Sequence, residues 1–412
     1  MNTSNNTIDV RQARVESAIA LKEPDRIPFV PKISMGYNVM SDTNAYEVMV
    51  DGRNFENGVR KFLERYEIDM FRAPSTYPLN VFEILETDYI NWPGPSCGLG
   101  RNSGIQILDK TFLEEDEYDE FLLDPSHFFT TKIFPRKHKN LCGLSKISFN
   151  NLYEHGHYVA MQSFTDPEFK DAMFALMAAG EEVKKWMATR IKLAEIALSL
   201  NTPLDNMSAQ CAPYDMFADN IRGYINVPMD LIIMPEKVQK AIDLMEFYAV
   251  ESIEGMSKNM NINACYIPLH GGTDELMSNE TYKKYYWPSL LRIINLLISK
   301  NITPHIFCEG RYDTRLEILK EVPKGKVVYQ FEKVDMARVK QVLGDTACIC
   351  GNIPGALLLH GTVEDVVEET KKLIDICGDG GGFIMDSSMA LDDFDIRLMD
   401  AWYETTLKYG VY

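Results

Sequence analysis

The chain has 412 residues, 46% of them apolar, and a formal charge of −18 at pH 7. That length accommodates one large α/β barrel or two modest domains, and the apolar content sustains a buried core, which excludes a disordered chain. The acidity argues against duplex nucleic acid and anionic membrane surfaces as partners.

Residues 1–10 are polar and read as a frayed end, followed by an amphipathic helix from Arg11 to Leu21 that Glu23-Pro24-Asp25 terminates. Arg26 to Ile33 is the first strand candidate, and its two prolines put it at a strand start or a barrel rim. A helix near 54–66 precedes a second strand, Ile68 to Ala73. From about 76 to 160 the chain reads as hairpin and lid material inserted into a core, with Pro, Gly and β-formers in turn over its first part. A long helical pattern spans about 167–199. Strands then alternate with helices: Leu204 to Ser208, Ala264 to Pro268, Pro304 to Phe307, Val327 to Phe331, Ala347 to Cys350 and Gly382 to Met385. Such alternation implies parallel βαβ units. The economical closure is one domain, residues 1–412, of α/β class: a single (β/α)8 TIM-type barrel with an N-terminal extension and hairpin or lid insertions. A doubly wound open sheet is the alternative.

Eight scattered cysteines suit a reduced intracellular protein rather than a disulfide scaffold. The N-terminus lacks the apolar core of a signal peptide, and no run of about 18 apolar residues occurs, so a cytoplasmic protein is expected.

In a barrel the loops after the strands form the reactive face. Polar residues stand there after each late strand: Gln210, Cys211 and Asp215; His270, Asp274 and Glu275; Cys308, Glu309 and Arg311; Glu332 and Asp335; Asn352; and Asp386 with Ser387 and Ser388. The densest group is His305-Ile306-Phe307-Cys308-Glu309-Gly310. Imidazole, thiol and carboxylate are the usual protein ligands of zinc. Neighbours on a strand face opposite ways, so Cys308 and Glu309 share a metal only if the chain turns, and Gly310 offers that turn. The competing reading makes Cys308 a small buried hydrophobe and His305 a satisfied barrel histidine. Cys348 and Cys350 project to one side and read as core packing or a soft-metal pair. His155 and His157 read as a solvated loop.

These residues bring a family into view. Arg14 to Pro28 resembles the opening of the uroporphyrinogen decarboxylase superfamily, with its Arg, Ala-Leu and Pro-Asp-Arg-Ile-Pro pattern. Met277 to Leu290, Asp335 to Gly344, Cys350 to Pro354 and Leu357 to Glu364 resemble its later blocks in order. The resemblance implies one TIM-type barrel and, commonly, a homodimer. The porphyrinogen decarboxylases carry an arginine-rich loop that Phe29 to Tyr37 lacks. The other branch moves methyl groups from methyl-corrinoid proteins, with zinc held by a His-x-Cys motif and a later cysteine. Here the motif becomes His305-x-x-Cys308, and Ile384 to Asp392 contains no cysteine.

The resulting expectation is a corrinoid-linked methyltransferase acting on a small, methoxylated aromatic substrate. His305, Cys308 and Glu309 would bind zinc or activate substrate. Glu309, His270 and Asp386 would carry protons, and Gln210, Asp215, Arg311, Tyr312 and Asn352 would line the pocket. No Asp-x-His-x-x-Gly module occurs, so cobalamin would arrive free or on a separate corrinoid protein. Two alternatives are a cofactor-free decarboxylase of a small acid, with Arg222 or Arg311 beside an aspartate, and a non-catalytic barrel that binds a tetrapyrrole or corrinoid.

Overall fold

Short apolar runs such as Ala264–Leu269 and Cys348–Cys350, bounded by turn residues and separated by helical stretches, are built to pair in parallel. In a computed structural model, which describes residues 7–74, 77–148 and 155–412, they do so. Six strands lie in chain order: Met207–Ala209, Ala264–Leu269, Thr303–Arg311, Val328–Lys333, Cys348–Cys350 and Phe383–Ile384.

Two extended segments complete the ring. Phe29 bridges Met385 in parallel, and Phe71 bridges Leu204. Asp69 N donates to Phe29 O at 2.9 Å, which joins the two segments to each other. The ring is therefore a closed eight-stranded barrel. Its first strand survives only as single bridges because Pro28 and Pro31 cannot donate to a ladder.

Alternation sorts the side chains. Val30, Met70, Val328, Cys348, Cys350 and Ile384 form a buried cluster inside the ring, closed below by Val15 and Ala18 of the helix Ile8–Ile19. Phe29, Ile306, Cys308, Tyr329, Ile349 and Phe383 belong instead to the large apolar layer between strands and outer helices. The first helix starts at Ile8, earlier than the frayed reading of residues 1–10 allowed, because Thr7 caps the amide of Val10. Residues 1–6 lie outside the described part.

The floor is fastened by charge. Asp69, fully buried, receives Arg14, two bonds from Arg26 at 2.7 and 2.9 Å, and the amide of Phe29 at 2.7 Å. Arg14 also grips Asp25 at 2.6 and 2.7 Å. The Arg14 to Arg26 block is thus a clamp that locks the first helix under the ring.

Between the second and third strands runs a segment containing the hairpin Ile90–Asn91/Gln106–Ile107, several short helices and the long helix Pro167–Ser199. It holds a small core of its own around Leu85, Leu141, Leu144 and Phe169. Among the described residues, no helix is long and apolar enough to cross a membrane.

Candidate active site

Barrel strands deliver their inward side chains in tiers, and the upper tiers at the carboxyl ends are where charge appears. Two positions beyond Val30 on the same face is Lys32, and two beyond Met70 is Arg72. Arg72 Nε lies 2.8 Å from Asp205 Oδ2, its Nη2 is 3.1 Å from His305 Nδ1, and Nη1 is 3.6 Å from Asp386 Oδ2. Burial works against the guanidinium, but the two carboxylates outweigh it and raise its pKa. Asp386 accepts the amides of Lys32 and Ser387, each at 2.7 Å, and Cys350 Sγ at 3.7 Å; burial raises its pKa while Arg72 opposes.

Lys32 Nζ donates to the hydroxyl of Tyr266 and lies 4.0 Å from that ring and 4.5 Å from the ring of Phe307. Burial brings its amine down to about 8, with Asp386 pulling the other way. Tyr266 and Phe307 stack with centroids 6.2 Å apart. Ala209, in register with Tyr266, is exposed, so the ring interior opens to solvent at this level.

At the mouth His270 is held at both nitrogens. Nδ1 is 2.7 Å from Asp219 Oδ2 and Nε2 is 3.5 Å from Glu309 Oε2. Burial opposes its charge, yet Asp219, Asp215 and Glu309 prevail and raise the imidazole to about 9. Beneath it, fully buried Asp215 accepts the amides of His270 at 3.0 Å and Gly271 at 2.9 Å and the hydroxyl of Tyr286 at 2.5 Å. Burial and then Asp219 push Asp215 up to about 7. Position 271 must be glycine, since a Cβ there would meet the Tyr214 ring at 2.7 Å and Asp215 Oδ1 at 2.9 Å.

The expected zinc triad does not converge. His305, Phe307 and Glu309 share the inner face, whereas Cys308 points into the helical layer beside Tyr282, Tyr312 and Tyr329. The strand does bulge at Gly310, where φ is 82°, but only after Cys308 has been placed. Burial pushes the Cys308 thiol well above its ordinary pKa, and His305 is held by Arg72 and lowered to about 4 by burial. Among the described residues, no group of three or more His, Cys, Asp or Glu side chains is disposed to hold a metal ion. The donor set does not fit zinc.

Other expected residues divide. His270, Glu309 and Asp386 reach the interior. Tyr312 does not line it: the residue is fully buried, and its hydroxyl donates to Leu269 O at 3.2 Å. Asp215 braces the His270 loop rather than facing the cavity. Arg311 stands on the outer rim, 65% exposed and 3.7 Å from Asp313. Gln210 is turned to Met216 Sδ at 3.1 Å, and Asn352 to Glu332 O at 3.4 Å. Arg222 lies away from the cavity, paired with Asp230 at 2.6 Å. His155 and His157 are exposed, and Cys348 and Cys350 pack inside the ring.

Sequence reasoning missed Arg72, Asp205, Tyr266 and Asp219, and it gave Lys32 no part in the site. The usable signal for Lys32 and Arg72 was parity: each sits two residues past an inward apolar one, Val30 and Met70.

Comparison with known proteins adds three findings. The sequence model of the family described as Uroporphyrinogen decarboxylase (URO-D) matches residues 163–391. No curated protein matches the chain. Among solved structures, a methyltransferase from Methanosarcina mazei is similar with a TM-score of 0.63 and 12% identity, over 98% of this chain and 99% of that one.

Proposed function

The chain belongs to the uroporphyrinogen decarboxylase family, and from that premise we propose that it is a methyltransferase that takes the methyl group of a small methoxylated aromatic compound and passes it to a corrinoid. The observation that carries this reading is His270, charged and fixed between Asp219 and Glu309 at the open mouth of the barrel. The methyltransferase fold-neighbour supports the direction of the proposal.

An aryl methyl ether resists dealkylation because its oxygen departs as a poor leaving group. A positioned acid removes that obstacle. As the methyl carbon–oxygen bond breaks, the electron pair stays on oxygen, and His270 Nε2 delivers the proton that turns it into a phenol. Asp219 at Nδ1 holds the ring orientation and its charge. Glu309, 51% exposed, returns a proton from solvent to Nε2. Lys32 and Arg72 below offer N–H donors within the ring, Arg72 with its charge already shared by Asp205 and Asp386.

A reduced corrinoid, when bound, supplies the nucleophile that accepts the methyl group. Tyr224 packs edge-on to His270 at 6.3 Å, and Ile225, Met229, Ile232 and Ile233 after it are all more than half exposed. This apolar rim would receive a corrinoid ring, free or carried by a second protein. All eight cysteines are free, which suits a reducing compartment such as the cytoplasm.

The test is anaerobic. Purified protein is mixed with chemically reduced cobalamin and a panel of neutral and acidic methoxylated benzenes, while methylcobalamin absorbance and phenol release are followed. Matching appearance of both supports the proposal. Release of carbon dioxide from an acid without methyl transfer overturns it.

A further inference from the structure

Lys137 is the least expected charge in the molecule. It is 5% exposed, and among the described residues the partners of its ammonium are two aromatic rings, with no carboxylate in salt-bridge contact. Its Nζ lies 4.8 Å from the Tyr89 ring centre and 5.1 Å from that of Phe112. A buried cation without a counter-ion is costly, and such groups are retained where something else completes them.

Its surroundings show where the completing group would sit. The main chain behind it is anchored, with Lys137 O accepting the amide of Asp88 at 3.0 Å. Phe112 N and Leu113 N both donate to Ile221 O, at 2.9 and 3.1 Å, and Asp109 Oδ1 accepts Tyr224 N at 3.0 Å. The stretch carrying Phe112 therefore lies against the stretch carrying Asp219 and Tyr224, the two residues that frame His270. Asp219 favours the charged form of Lys137 from a distance, its Oδ2 bonded to His270 at 2.7 Å and its buried Oδ1 without a hydrogen-bond partner among the described residues. Burial brings the amine down to about 8, so an arriving anion would also secure its proton.

We infer that Lys137 is an anion subsite of the active site, where the carboxylate of an aromatic acid substrate pairs with Nζ while its ring lies along Tyr89, Phe112 and Tyr224 toward His270. A carboxylate on an aromatic ring is an anion small enough for one ammonium to pair, and the flanking aromatic faces suit the ring that carries it. Aromatic walls select a flat ring over a flexible chain. Tyr89, Phe112 and Lys137 all precede residue 163, where the family match begins. The inference rests on the methyl-transfer reading only for the methoxy group of the ligand.

The experiment measures equilibrium binding without corrinoid, by calorimetry, for 4-methoxybenzoate and the neutral 4-methoxytoluene. Wild-type protein is expected to prefer the acid by roughly tenfold or more. Lys137→Met is expected to abolish that preference while leaving the neutral probe's affinity unchanged, and Lys137→Arg to keep part of it. Equal affinities in the wild type, or a parallel loss of both probes in Lys137→Met, would overturn the subsite. The wild-type comparison stands even if the methionine variant fails to fold. Preference for the acid without methyl transfer would sink the proposed reaction and leave the subsite standing.

Discussion

His305 Nδ1 lies 3.1 Å from Arg72 Nη2, and that contact decides what the imidazole is for. A guanidinium has only protons to give, so Nδ1 accepts and the ring proton resides on Nε2. Burial lowers the group to about 4. His270 is the opposite case, raised to about 9. Nitrogen-detected NMR across pH 5 to 10 should find His305 neutral throughout, as well as His138, which burial also lowers to about 4, and His270 with a midpoint near 9. Protonation of His305 near pH 6.5 would contradict the arrangement.

The same difference sets the pH response. A histidine whose folded pKa exceeds its unfolded value contributes stability that is complete below the unfolded pKa, about 6.5, and is lost as pH rises through the folded one. His270 should therefore stabilise the fold at neutral pH and stop doing so through about pH 9. Turnover should fall over the same interval, because the proton donor is then spent. In His270→Gln the basic limb of both profiles should disappear, and turnover should drop on the order of 100-fold to 10,000-fold. A variant that keeps its basic limb would assign that limb elsewhere.

Cys308→Ala provides a sharp check on the metal question. The thiol sits in the packed layer between strand and helices, so its loss should cost roughly 1 kcal/mol through a small cavity. Methyl transfer and the metal content of the protein should be unchanged. Loss of bound zinc in this variant would restore the metal site.

Much of this architecture is readable from the residues alone. The late strands and their helices announce themselves by length and by turn residues at their ends, and the long helix at Pro167–Ser199 matches its pattern closely. The site was harder to read because facing depends on parity. Glu309-Gly310 looked like the start of a turn that would fold Cys308 inward, but the strand runs on to Arg311. With one residue's difference in phase, Phe307 occupies the inner position that a ligand would need. Lys137 left no periodic signal at all, since it stands in a run of short helices whose contacts are set by tertiary packing.

Asp69→Ala should be among the most destabilising single changes. It would leave Arg14 and Arg26 buried without their shared carboxylate, at a cost of about 3–5 kcal/mol. Urea unfolding should show the free energy of unfolding falling by that amount, with the midpoint moving down in proportion. Asp69→Asn should recover little, because an amide cannot neutralise two guanidinium groups. A near-neutral result would mean that the clamp contributes little to holding the first helix.

Lys32 N bonds to Asp386 Oδ1 across 354 positions of sequence. During synthesis on the ribosome, the first strand can meet the second early, but its other neighbour is made only 354 positions later. Until then Lys32 and Arg72 face water with no lumen to occupy, and the nascent chain offers an unpaired edge. Closure should accordingly be a late and slow event, and the early segments are the natural place for a chaperone to hold on.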